Sequence, residues 1–179
     1  MVEQTDVIYR EVQYSRQWWL VLIVVGASIV TIAVFGYGMV QQLIFGRQWG
    51  SNPTSNGALL IVGSLAILFW IALDWLFLSS HLTTEVRSDG LHIRYFPFHL
   101  SWRKISLDDV KTIQAVTYSP LGEYGGWGIR GFSRNRAYNP TGNRGARMEY
   151  ADGRRLLIGS GRPDELARAI GSVMTKAGS

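Results

Sequence analysis

Between Trp18 and Phe45 the chain carries no charged side chain, and a second run, Ala58 to Leu73, is equally free of charge. As a helix rising 1.5 Å per residue, Trp18 to Val40 alone reaches about 35 Å, enough to cross a hydrocarbon core of about 30 Å with some tilt. Such runs are too long for ordinary buried helices. The pattern predicts a two-helix transmembrane hairpin over residues 18–80, preceded by a cytoplasmic segment, 1–17, and followed by a soluble domain, 81–179. The mean hydropathy of +0.07 averages these unlike parts and hides both.

Asp74 interrupts the second run near its end, and His81 follows on the same helical face. An acid inside a membrane points to function, which would suit an accessory subunit of a transporter or membrane enzyme. The plainer reading puts Asp74 at headgroup depth, hydrated, with Trp75 to Leu78 completing the last apolar turn. Gly26, Ser28, Gly36, Gly38 and Gly63 are small enough to let two helices approach closely, or they face lipid.

The start of the chain mixes Glu3, Asp6 and Glu11 with Arg10 and Arg16, unlike a signal peptide, so the first span reads as a retained anchor. Arg10 and Arg16 precede it, Arg47 alone stands between the spans, and Arg87, Arg94, Arg103 and Lys104 follow the second. This bias favours the inner, cytoplasmic membrane with both termini in the cytoplasm and a short external turn over 46–56. Trp18, Trp19, Trp49 and Trp75 fall near the expected interfaces, where an indole can bury its ring and keep its N–H wet.

From Ser80 onward fifteen Lys/Arg face nine Asp/Glu, a net of +6, so the soluble domain carries the basic excess. A basic domain tethered to a bilayer is drawn to anionic headgroups. Nucleic acid, the other usual partner of basic domains, is not expected, because no helix-turn-helix, zinc-finger or RNA-binding aromatic signature appears. The absence of cysteine excludes disulfides, thiolate nucleophiles and Cys-ligated zinc.

In this domain the periodicity changes to alternation, as in Leu91, Ile93 and Tyr95 against His92 and Arg94, with Ser88-Asp89-Gly90 as a hairpin turn. Strands are expected at Trp102 to Ile105, Thr112 to Tyr118, and in a second hairpin, Ala146 to Tyr150 with Arg154 to Ile158. Gly125 to Phe132 and Asn135 to Asn139 read as strand pieces with bulges, since glycine is dense there. Pro163 opens a helix with Asp164 and Glu165 at its positive end and Leu166, Ile170, Val173 and Met174 on one face. Six or seven short strands followed by one amphipathic helix predict an all-β split barrel capped by a C-terminal α-helix.

The run Tyr118-Ser119-Pro120-Leu121-Gly122-Glu123-Tyr124-Gly125-Gly126-Trp127-Gly128-Ile129-Arg130 resembles a signature of bacterial and archaeal small membrane proteins with two transmembrane helices and a PH-like domain, a family of unknown function. Ala137-Tyr138-Asn139, Gly142-Asn143-Arg144-Gly145 and Ile158-Gly159-Ser160 through Leu166 extend the likeness. It implies a PH-like domain and supplies no catalytic set. In PH domains headgroup sites lie in the loop joining the first two strands. Here that loop is Ser88-Asp89-Gly90, short and not basic, which speaks against phosphoinositide-type recognition.

Gly126, Gly128 and Gly131 match G-x-G-x-x-G, but Phe132 to Arg136 shows no helical apolar face, so no cofactor is expected. His81, His92 and His99 lack paired metal-ligand spacing and read as residues of solvated strands. Asp108 and Asp109 suit a turn. No Ser-His-Asp arrangement can be defended, and an enzyme is not expected. The candidate ligand- or partner-binding residues are Trp127, Arg130, Arg134, Arg136, Tyr138, Arg144 and Arg147, since guanidinium groups grip phosphate in two-point contacts and glycine-rich loops add backbone donors. The alternative is a solvated basic face, with Glu123, Trp127, Tyr138 and Asn143 pinning an irregular loop. The expected function is a non-catalytic interaction or scaffold module at the cytoplasmic face, with an anionic-headgroup sensor as the alternative.

Overall fold

The structure, a computed structural model, describes residues 6–15, 17–132 and 134–177; Glu3 and Arg16 of the charge argument lie outside the described residues. The chain divides into two compact units, Met1–Ser15 with Ser79–Ser179, and Arg16–Leu78.

The second unit is helical. Helix α1, Trp18–Met39, runs on into a π-helical turn, Val40–Ile44, and α2 spans Asn56–Ser79. Both helices are long and apolar enough to cross a membrane. Leu22, Ile23, Ile61, Leu65 and Leu68 are exposed along them, and each such side chain forfeits about 1.5–3 kcal/mol if left in water. Asp74 is held inside the unit, in contrast to the hydrated position expected for it. One carboxylate oxygen accepts from Ser28 Oγ at 2.6 Å, and the other is buried without a partner among the described residues. Gly63 lets α2 close on Phe35 and Met39, and a Cβ at Gly38 would fall 2.6 Å from the Trp49 ring. Gly26 and Gly36 face open space. Gln42 pins the connecting turn, donating to Thr54 O at 2.7 Å and Asn56 Oδ1 at 3.0 Å.

The first unit contains nine strands among the described residues, in two sheets. The sequence pattern predicts no strand ahead of the first span, yet Val7–Tyr14 forms β1 and pairs with β2, His81–Arg87. Next come β3, Gly90–Phe96, and the three-residue β4, Arg103–Ile105, giving an antiparallel sheet in the order β1-β2-β3-β4. The Ser88-Asp89-Gly90 hairpin forms as expected, with Arg87 opposite Gly90.

The second sheet holds β5, Val110–Thr117, β6, Gly128–Phe132, β7, Asn135–Asn139, β8, Arg144–Tyr150, and β9, Arg155–Gly159, in the order β5-β8-β9-β7-β6. Its β7 and β9 run parallel. A short helix α3, Pro120–Tyr124, lies between β5 and β6, and α4, Pro163–Ala177, ends the fold. The expected bulges in the glycine-rich pieces are absent from the β6–β7 pairing, which is regular from Gly128 to Phe132; register shifts fall instead at Val7/Tyr9 and Val110/Thr112.

The expected split barrel does not close. With β4 only three residues long and Leu107 to Asp109 turning the chain away, β4 and β5 do not pair and the sheets stay separate. Helix α4 spans the two, packing on β1, β2 and β3 of one and β5 and β8 of the other. Leu166, Ile170 and Val173 enter the core with Leu82, Leu91, Ile93, Met148 and Ile158, and Met174 is partly buried against it.

Candidate functional site

Strand register decides which of the candidate residues can act together, because residues directly opposite on paired strands share a face. Arg130 stands opposite Ala137, Ala137 beside Leu157, Leu157 opposite Arg147, and Arg147 opposite Gln114. These five form one row on the face of the second sheet turned away from α4. Beneath α3 this face carries a small core of its own, made of Tyr118, Tyr124, Ala137 and Leu157 with Val116 against it.

The loop that covers this small core is held by the residues expected to bind. Ser119 caps α3, accepting from Gly122 N–H at 3.1 Å, while its own N–H donates to Glu123 at 2.8 Å. Arg147 donates to the same carboxylate at 2.6 Å. Trp127 Nε1 donates to Gly142 O at 2.7 Å, and Arg130 Nε donates to Trp127 O at 2.7 Å. Asn143 O accepts from Tyr118 N–H at 2.9 Å. Gly126, Gly128 and Gly131 all have positive φ, so their glycine character serves the backbone of this loop and its hairpin; β6 and β7 stand where a dinucleotide fingerprint would need a helix. Burial pushes the Tyr118 and Tyr124 hydroxyls up.

Arg144 lies 3.5 Å from Asp164 at the head of α4, and both are exposed. Arg134 is exposed at the β6–β7 turn, and its side chain has no partner among the described residues. The seven residues therefore do not form one patch.

Arg136 and Tyr138 belong to the other face, and the structure brings them together with residues that sequence reasoning missed. A cleft of about 270 Å³ between the end of β4 and the second sheet is lined by Arg136, Tyr138, Tyr150, Arg154, Arg155 and Asp109, with Ile105, Ser106 and Leu156. Tyr150 donates to Ser106 O at 3.3 Å across it. The Arg154 guanidinium lies 4.6 Å from the Tyr150 ring centre and bonds Asp152, Arg155 pairs with Glu149 at 3.1 Å, and Arg136 lies 5.9 Å from the Tyr138 ring centre. The Arg154-Arg155 doublet after the Asp152-Gly153 turn, beside an aromatic at Tyr150, was the signal in the sequence.

His99 reports the field near this cleft. It is buried against Tyr138 with ring centres 5.8 Å apart, its Nδ1 has no partner among the described residues, and burial together with the charges of Arg103 and Arg136 lowers its pKa. His92 is also buried and bonds Asp89 at 3.0 Å, while His81 stacks on Phe96; the histidines are packed rather than solvated. Among the described residues no group of three His, Asp or Glu could hold a metal ion. Asp152 and Glu149 pair with Arg154 and Arg155, so among the described residues Arg136 is the guanidinium of this cleft without a carboxylate partner, a group suited to an anion.

A family model described as a family of unknown function (DUF6141) matches residues 2–177, and the chain belongs to that family. No curated protein and no solved structure matches it.

Proposed function

We propose that this DUF6141 member is a membrane-anchored, non-catalytic interaction module, whose helical hairpin crosses the inner membrane twice and holds the two-sheet domain at the cytoplasmic face. One observation carries this reading. The strand that precedes α1 and the strand that follows α2 are neighbours, with Tyr14 opposite His81 and Ser15 N–H donating to Ser80 O at 2.9 Å. A chain that leaves and re-enters its folded domain at one hydrogen bond must cross a bilayer an even number of times in between. The basic excess after Ser80 favours the cytoplasmic side. The PH-like reading of the domain rests on the Tyr118 to Arg130 resemblance and on one C-terminal helix laid over antiparallel strands.

The chain has no cysteine, so single-site labelling tests the topology directly. In intact spheroplasts a membrane-impermeant maleimide should modify Ser51→Cys in the connecting turn and reach Ser172→Cys on α4 only after lysis. Labelling of Ser172→Cys without lysis would reject the cytoplasmic placement. For the interaction role, a photo-crosslinker at exposed Arg134 should trap a reproducible protein partner in cells, and repeated absence of one would count against it.

The cleft at Arg136 favours a second reading, in which the domain binds a phosphate-bearing headgroup or an acidic segment. Inorganic phosphate titrated into the detergent-solubilised chain should move the His99 ring resonances, and Arg136→Gln should abolish the response. Unmoved resonances would remove the reading.

A further inference from the structure

We infer that the β3–β4 loop, residues 97–102, is a bilayer contact, with Phe98 and Leu100 entering the interfacial layer of the same membrane that holds the hairpin. The inference rests on the anchored reading and adds to it a second point of attachment. Phe98 is 60% exposed and Leu100 78% exposed. Between them His99 is buried, bonded through its N–H to Tyr95 O at 2.7 Å and packed on Tyr138. The inward histidine fixes the loop so that its two apolar neighbours face out, and they form no part of the domain's core.

Their position names the occupant. Phe96, the last residue of β3, stands opposite His81, which follows the end of α2 at Ser79 by two residues. Neighbouring strands lie about 5 Å apart, so the loop begins about one strand spacing from the point where the chain departs into α2. The same sheet end carries a run of rings, Tyr14 to His81 to Phe96, with both centre-to-centre distances 5.5 Å. Aromatic side chains gathered where a chain enters a bilayer are typical of the headgroup layer. Exposed Arg103 follows as a partner for lipid phosphate. Trp102 is excluded from the contact, because Arg87 and Arg94 hold its ring with their guanidinium carbons 5.1 and 5.2 Å from the ring centre.

The test uses the full chain in vesicles of phosphatidylethanolamine and phosphatidylglycerol, with an environment-sensitive fluorophore on Phe98→Cys, Leu100→Cys, Ser172→Cys or Leu60→Cys. Phe98 touches the Tyr95 ring edge-on at 5.8 Å, so Leu100 serves as the variant that leaves packing untouched. Lipids carrying a nitroxide near the headgroup should quench the loop positions more than about twofold over position 172, as for side chains buried about 5–10 Å in the interface. Quenching at 98 and 100 no stronger than at 172, with position 60 quenched by chain-labelled lipid, would overturn the loop contact and leave the anchor standing. An unquenched position 60 would overturn both. A protein partner or a second copy on this loop would show as protection from quenching that depends on protein concentration, and would also overturn it.

Discussion

Ser160 Oγ donates to the Glu11 carboxylate at 2.7 Å, joining the first strand to the turn that opens the last helix across 149 residues of chain. Gly161 N–H donates to the other carboxylate oxygen at 2.9 Å, Tyr9 OH bonds Glu11 at 2.6 Å, and Arg162 reaches Arg10 O at 3.0 Å. One acid thus ties the segment before the hairpin into the domain after it. Glu11→Ala removes a charged acceptor from three donors, two of them on or beside buried groups. The expected cost is about 2 kcal/mol, read from the urea midpoint of the detergent-solubilised chain. A midpoint equal to that of the parent chain would show that β1 does not depend on this carboxylate.

The same junction predicts an alkaline weakness. Burial, then the hydrogen bond to Glu11, pushes the Tyr9 hydroxyl up to about 12. The folded chain keeps a proton that the unfolded chain gives up near 10, so stability falls as pH rises from about 10 to about 12 and levels beyond. Tyrosinate absorbance should show this late step in the parent and lose it in Tyr9→Phe. An unchanged titration in that variant would refute the assignment.

His99 gives a test at the acid side. Its lowered pKa, from burial and then Arg103 and Arg136, means the unfolded chain binds a proton near 6.5 that the folded chain refuses. Stability therefore falls as pH drops below about 6.5 until the folded value is reached. Arg136→Gln should raise the His99 pKa in an NMR titration, whereas Arg130→Gln, on the opposite face of the sheet, should leave it in place. Equal shifts in both variants would contradict the division of the arginines between faces.

That division explains what could be read from the sequence and what could not. Leu91, Ile93 and Tyr95 alternate within one hairpin, and Leu166, Ile170 and Val173 recur within one helix, so local periodicity located both. The Ser88-Asp89-Gly90 turn and the uncharged runs are likewise local signals. Strand β1 was hidden because its partner lies about seventy residues away, beyond the hairpin, and Val7 to Tyr14 has only a weak alternation. The arginines looked like one cluster because they are close in sequence. Placement of β9 between β7 and β8 sends Arg136 to one face and Arg130, Arg147 and Arg155 to the other, and brings Arg154 up to the cleft. Closure into a barrel failed for a similar reason: no local pattern fixes whether β4 is long enough to meet β5.

In the helical unit, Ser28→Ala should leave both oxygens of Asp74 without a donor in an apolar setting. Hydrogen bonds between helices in membranes average about 0.6 kcal/mol, with a maximum of about 1.7, so destabilisation in that range is expected. Steric trapping of the hairpin in bicelles would measure it. Asp74→Asn, which keeps an acceptor for Ser28, should cost less than Ser28→Ala, and the reverse order would show that the carboxylate has a second function there.

Two glycines should respond to alanine with opposite sign. Gly145 pairs with Gly159 across β8 and β9, and a Cβ there would fall onto the Ile158 carbonyl and lie 3.1 Å from Gly159 Cα. Those atoms belong to sheet backbone, fixed on its other side by β7, where Gly159 itself meets Asn139 Cα at 3.1 Å when given a Cβ. Neither strand can yield without breaking the row that carries Arg147, Leu157 and Ala137. Gly145→Ala should therefore destabilise by about 1–3 kcal/mol, the range for overpacking. Gly171 sits within α4 with open space where its Cβ would be, and its φ is not positive. Gly171→Ala should stabilise by up to about 1 kcal/mol, the difference in helix propensity. Thermal melts of the two variants beside the parent decide the matter: a neutral Gly145→Ala would mean that β8 and β9 are not in this register, and a destabilising Gly171→Ala would mean that α4 packs more closely at that turn.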